Sequence, residues 1–184
     1  AASSLAMTAP LPALALNNAQ AEALIDRVVS DINKVISSGK SLNSMIGEFE
    51  RIFSKFADVN IIARSALGAA ARRLSSGQSR DYTSAFQGYI ARKYGKRFQE
   101  FEGGRIEVKS VRQVKTFFEV KTTAYLPGEA PFEVNFLVSD QSGRDLFFDM
   151  ITEGISLRLT ERAEIGAMLD RRRGDIDALI QDLS

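Results

Sequence analysis

The sequence predicts an α+β protein in which a curved four-stranded antiparallel sheet is covered by helices that precede and follow it, part of them forming a helical subdomain. Three observations carry that expectation. Apolar residues recur at helical spacing as far as Phe101, they alternate one-by-one from Ile106 to Met150, and the helical spacing returns after Gly154. A length of 184 residues suits one domain, expected over residues 17–184. Residues 1–16 are then a small, apolar lead-in. Ala13-Leu14-Ala15 has the small-x-small form of a signal-peptide cleavage site, so export with cleavage after Ala15 is expected.

In the first helix Ala21, Leu24, Ile25, Val28, Ile32, Val35 and Ile36 share one face, and Gly39 ends it. A second stripe runs through Leu42, Met45, Ile46, Phe49, Ile52, Phe53 and Phe56, with Ser41 as N-cap. A short helix is expected over residues 61–67. A long one follows, capped by Ser79, with the stripe Tyr82, Phe86, Tyr89, Ile90, Tyr94, Phe98 and Phe101, and Gly103-Gly104 at its end. The strands are read from Ile106-Val108-Ser110, Val114-Thr116-Phe118-Val120, Phe132-Val134-Phe136-Val138 and Leu146-Phe148-Met150. Residues 127–130 (PGEA) and 140–143 (DQSG) have hairpin chemistry. Such a meander presents one apolar face. Two closing helices follow, around Ile165 to Leu169 and, capped by Asp175, Ile176 to Leu183.

Composition excludes much. The chain has no His and no Cys, which removes zinc sites, Ser-His-Asp and Cys-His catalysis, thiol chemistry and disulfides. Acid–base work would fall to carboxylates or tyrosines. Asp58, Asp149 and Glu153 are the candidates, with Asp149 pointing off the apolar face and expected to pair with Arg64 or Arg162. A net charge of +1 gives no footprint for nucleic acid. Arg92, Lys93, Lys96 and Arg97, and Arg171 to Arg173, read as solvated helix faces or as docking surfaces for an acidic partner or anionic headgroups. No run of apolar residues is long enough to span a membrane.

The aromatic content is 12 Phe and 4 Tyr without Trp. Each ring alone reads as core. Together Phe53, Phe86, Tyr89, Tyr94, Phe118, Phe136 and Phe148 are many for one sheet face, and a floor of rings and branched side chains also suits an apolar ligand. The candidate lining adds Ile62 and Ile90 from the helices and Val120, Val134 and Met150 from the strands. Ile155, Leu159, Met168 and Leu169 complete it from the closing segment.

Two stretches carry a family resemblance. Residues 56–68, FADVNIIARSALG, resemble the ADVPxIARxALG segment of the MlaC-like, or toluene-tolerance, family of periplasmic lipid carriers; residues 148–157, FDMITEGISL, resemble its YDVxxEGxSL motif. Arg162 matches the Arg of the YR that follows, and residues 174–180, GDIDALI, resemble the terminal GIDxLI. Asn60 stands where the family has Pro, Asp145 where it has Trp, and Phe148 and Glu161 where it has Tyr.

The resemblance implies a nuclear-transport-factor-like cone with a helical portion packed on it, and a monomer. It implies a bound glycerophospholipid with tails inside and headgroup in water, and neither catalytic residues, metal nor cofactor. It further implies traffic through the periplasm between an outer-membrane lipoprotein complex and an inner-membrane ABC transporter complex. A related branch is tied to hopanoids, which keeps a polycyclic lipid open; an enzyme on the same cone is the rival class. A hollow able to hide two acyl chains is expected between sheet and helices. Emptied, it should partly collapse, with Gly68, Gly103 and Gly154 as candidate hinges.

Overall fold

A computed structural model describes residues 15–184. The expected signal-peptide cleavage segment falls almost wholly outside them. Helix α1, Asn18–Ile36, starts at a capping box in which Asn17 and Gln20 bond each other's backbone N–H groups. Its buried stripe packs on the first two strands. Asn33 fixes the placement, since its side chain accepts from the Ile106 N–H at 2.8 Å and donates to the Ile106 carbonyl at 2.9 Å. Helix α2, Leu42–Phe56, is capped by Ser41 as expected.

Helix α3, Val59–Leu67, begins two residues earlier than the sequence pattern indicates, because Asp58 caps it by accepting from the Ile61 N–H at 3.1 Å. Helix α4, Ser76–Gly95, is likewise capped upstream of the expected Ser79, by a Ser75–Gln78 capping box. It gives way at Gly95 to a 3₁₀ turn, Lys96–Gln99, so the final stretch of the aromatic stripe is not α-helical. Gly95 is required by packing. A Cβ there would stand 2.8 Å from the Ile46 Cα, which is how closely α2 and α4 cross.

The sheet is a meander of five strands in sequence order: β1 Arg105–Val114, β2 Phe117–Tyr125, β3 Phe132–Ser139, β4 Leu146–Thr152 and the short β5 Ile155–Ser156. The fifth strand goes beyond the expected four. It folds back through Glu153 and Gly154, both at positive φ. The alternation read through Val114, Thr116 and Phe118 as one strand breaks at a two-residue turn, Lys115-Thr116, with Lys115 at φ 54°. The inner face carries Phe118, Val120, Val134, Phe136 and Val138, all buried.

In β4 a bulge decides which ring points inward. Leu137 faces Asp149 while Val138 faces Phe147, leaving Phe148 as the extra residue. Phe147 therefore takes the inner face and Met150 stands opposite Phe136. Phe148 packs on Phe117 of the outer face, 5.5 Å between ring centroids, with the Arg158 guanidinium over it. Helix α5, Leu157–Arg171, and helix α6, Ile176–Leu183, close the chain, α5 against α3 and α6 against α4. One apolar core runs continuously from Leu16 to Leu183.

Candidate binding cleft

Three layers converge on an apolar cleft. Helix α1 supplies Val28 and Ile32, α2 supplies Phe49, Ile52 and Phe53, and the sheet supplies Phe136, Phe147 and Met150, with Phe98 and Leu157 completing the lining. The rings interlock. Phe53 lies 5.8 Å from Phe49 and 6.2 Å from Phe147, and Phe147 meets Phe136 edge-on at 5.3 Å. The cleft encloses only about 30 Å³, far below the few hundred of a typical ligand pocket. The open hollow expected from the sequence is thus a closed seam in this conformation.

Met150 and Leu157 also line a second, wider space of about 470 Å³, bounded by Lys93, Tyr94, Arg97, Thr152, Glu153, Ile155, Thr160 and Glu164. The seam and this polar groove share those two side chains, so the groove adjoins the seam, and we refer to it as the mouth. Beside the mouth, α4 is bolted to α5 by a buried carboxylate. Glu161 is 0% exposed and accepts from Lys93 Nζ at 2.7 Å and from the Tyr94 hydroxyl at 2.6 Å. Its Oε2 has no partner among the described residues. Lys93 also bonds Glu164, which accepts from the Tyr89 hydroxyl at 3.0 Å.

The electrostatics follow. Burial works against the Lys93 ammonium, but hydrogen bonds to Glu161 and Glu164 outweigh it and raise its pKa. Burial first, then the hydrogen bond to Glu161, holds Tyr94 protonated well above the usual phenol range. Tyr89 is pushed up to about 12, again by burial and then by the Glu161 charge. The Lys93 hydrogen bond lowers Glu164.

Of the residues singled out from sequence, Phe53, Phe136 and Met150 line the seam, and Tyr94, Met150 and Ile155 line its mouth. Phe118, Val120 and Val134 lie on the inner sheet face beyond the seam's present extent, while Ile62, Phe86, Ile90 and Leu169 are buried and Tyr89 and Met168 partly buried in the helical layer. Phe148 is on the outer face. Leu159 and Ile155 are 70% and 67% exposed, so neither is an interior side chain. Val28, Ile32, Phe49, Ile52, Phe98, Phe147 and Leu157 line the seam without having been expected there. The first five lie on stripes already legible as core; Phe147 is hidden from a pattern reading by the bulge.

Of the three candidate carboxylates, Asp149 and Asp58 are committed to structure, while Glu153 lines the mouth. Asp149 accepts from the Met150 N–H at 2.9 Å, the Ser156 hydroxyl at 2.6 Å and the Arg158 N–H at 3.1 Å, rather than from Arg64 or Arg162. Asp58 caps α3 and accepts from the Ser142 hydroxyl, while its own N–H donates to the Phe147 carbonyl at 2.8 Å. Arg158 reaches across to the Ser65 hydroxyl at 3.2 Å. Segment 56–68 therefore meets the chain at both ends of 148–157, through Phe147 and Arg158, and fastens α3 and α5 to the bulged strand. Among the described residues no group of three acidic side chains could hold a metal, and no helix is long and apolar enough to cross a membrane.

A family model described as MlaC protein matches residues 22–184. The chain belongs to the MlaC family. A solved structure of similar fold is the phospholipid-binding protein of Ralstonia solanacearum in complex with a phospholipid, with a TM-score of 0.75 and 19% sequence identity over 89% of this chain and 94% of that one. That likeness shows that the two proteins share the α+β architecture. Residues 56–68 and the two residues that flank 148–157 form the latch between α3, β4 and α5, and the seam is lined largely by residues outside both motifs.

Proposed function

We propose that this protein is a periplasmic phospholipid carrier that takes the acyl tails between α1, α2 and the sheet and leaves the headgroup at the Lys93–Arg97–Glu153 mouth. The observation that carries the reading is that the polar groove adjoins the apolar seam, with Met150 and Leu157 lining both. Family membership and the phospholipid held by the Ralstonia protein point the same way. As a single exported carrier domain it would shuttle between an outer-membrane lipoprotein complex and an inner-membrane ABC transporter complex, with no chemistry of its own.

The energetics set the requirement. Two acyl chains hold about 30 methylenes, each worth about 0.8 kcal/mol out of water. The bilayer already shelters them, so a carrier leaving ten wet would be about 8 kcal/mol worse than the membrane. The seam must therefore open along its length, by displacement of the helical layer from the sheet. Tails lying between the parted rings supply the apolar packing that opening takes away. Exchange with a bilayer is then near balance, and direction has to come from the partners.

Organic extraction of the purified protein followed by mass spectrometry should return two-chain phospholipid at about one per protein. An empty extract from protein that is folded and monomeric would end the carrier reading, and a polycyclic lipid in the extract would replace the ligand.

A further inference from the structure

We propose that the β5–α5 corner docks on an anionic bilayer surface, with Ile155 and Leu159 inserted among the lipids and a set of unpaired arginines on the lipid phosphates. This rests on the carrier reading and adds to it where the mouth of the cleft meets its donor. Ile155 and Leu159 are the exposed large apolar side chains of the described residues, at 67% and 70%. Ile155 is also part of the mouth. Leu159 projects from α5 opposite the buried stripe of Leu157, Glu161 and Ile165.

Cations flank this pair. Arg64, Arg72 and Arg162 line a separate groove of about 420 Å³ on one shoulder of α5, and Arg158 lies beside it on Ser65. On the other shoulder Arg97 lines the mouth. None of these five guanidinium groups forms an ion pair among the described residues. The acidic groups nearby are Glu164, already held by Lys93 and Tyr89, and Glu153. Arginine suits phosphate because its planar fork donates two hydrogen bonds at once.

Two isolated aliphatic side chains are too few for the apolar centre of a protein interface of about 800 Å² a side. They are enough to insert singly into a fluid interface, where buried apolar area and attraction to anionic lipids add. The arrangement also solves a transfer problem. Each methylene wetted on the way from bilayer to cleft lowers the transfer rate by about fourfold. A mouth whose apolar rim is sunk into the bilayer keeps the tail dry.

The test is sedimentation of the intact protein with vesicles of phosphatidylcholine alone and of phosphatidylcholine mixed with phosphatidylglycerol. The lipid content of the same samples is measured by extraction. Binding to the mixed vesicles, weakened by salt, is expected. Ile155→Ser with Leu159→Ser should lower it at least tenfold, and Arg64→Gln with Arg162→Gln about fivefold per charge. Arg172→Gln, at the far end of the helical layer, should leave it unchanged. Failure of the wild type to bind mixed vesicles, or binding indifferent to both double variants, overturns the proposal, and the first of these results leaves an acidic protein surface as the occupant. Protein that carries lipid but ignores vesicles sinks the docking face and spares the carrier reading. Protein that binds vesicles yet extracts empty does the reverse.

Discussion

The seam and its mouth are closed by opposite physics. Inside, Phe49, Phe53, Phe136 and Phe147 hold the layers together by contacts that have no direction and that any apolar group of similar volume can replace. At the mouth, Glu161, Lys93 and Tyr94 hold α5 to α4 by bonds of fixed geometry around a carboxylate shut off from water. An entering acyl chain substitutes for packing of the first kind and cannot substitute for bonds of the second. Opening is therefore nearly compensated along the seam and uncompensated where directional bonds must break. Helices α4 and α5 should stay joined, and α1, tied to β1 by the Asn33–Ile106 hydrogen bonds, should stay on the sheet while α2 lifts from it.

The largest break in that comparison is a charge placed in the seam. Phe136→Asp removes a fully buried ring, about 3–5 kcal/mol by itself, and leaves an unpaired carboxylate facing Phe147. Lipid should be absent from the extract. Because this variant can lose its fold, Phe136→Leu is the informative partner: it should fold, lower the urea midpoint modestly, and still carry lipid. Phe118→Asp should also abolish loading if the tails run further along the inner face than the closed seam does, and normal loading would confine them to the Phe136 end.

The bolt is next, and it should be asymmetric. Lys93→Met leaves Glu161 buried with the Tyr94 hydroxyl alone, a loss of about 3–5 kcal/mol for an uncompensated buried charge. Glu161→Gln leaves Lys93 its bond to Glu164, keeps an oxygen to accept from Lys93 and Tyr94 and removes the buried charge. Its NH2 takes the unpartnered position of Oε2, so the change should cost about 1–2 kcal/mol. Equal losses in chemical denaturation would mean that the pair acts as a plain ion pair and not as a device for holding Glu161. Gly95→Ala then tests the α2–α4 crossing. The added methyl meets the Ile46 backbone at 2.8 Å. Overpacking of about 1–3 kcal/mol is offset by up to about 1 from better helix propensity, leaving a small net loss and, if α2 lifts during loading, faster lipid exchange.

How far the sequence reveals each region follows from the same contrast. Non-directional packing writes itself as periodicity, which is why the stripes of α1 and α2, the meander order and the inner face of β2 and β3 are legible. Periodicity fails where one residue is inserted. The bulge at Phe148 exchanges it with Phe147, and the two-residue turn at Lys115-Thr116 has neither Gly nor Asn to mark it. Directional bonding leaves no period at all. Glu161 occupies the inward position of α5 between Leu157 and Ile165, where periodicity alone assigns a charge to solvent. Ile155 and Leu159 mislead in the opposite sense, because apolarity alone assigns them to the interior and they stand outside it.

The finest discrimination comes from pH. Glu164 has its pKa lowered from 4.5, chiefly by the Lys93 hydrogen bond. Its contribution is therefore fully present above that ordinary value and is lost as pH falls through the lower, folded-state one. Tyr89, raised from 10.0 to about 12 by burial and the Glu161 charge, behaves in the other direction: its contribution is present below 10.0 and disappears as pH rises toward 12. Lys93, also raised, adds to the alkaline edge. The bolt should thus be at full strength between those limits and weaken outside them, while the ring-packed seam contributes no titration. Urea midpoints measured on either side of 4.5 should drop on the acid side in the wild type and drop less in Lys93→Met, where Glu164 is without the hydrogen bond that depresses it. Tyr89→Phe should make the loss between 10 and 12 shallower, with Lys93 and Tyr94 still contributing there. Because its hydroxyl also lowers Glu164, the same variant should soften the acid side, though less than Lys93→Met does. An acid slope identical in wild type and Lys93→Met would place that titration elsewhere in the chain and remove Glu164 from the account of how the mouth is held.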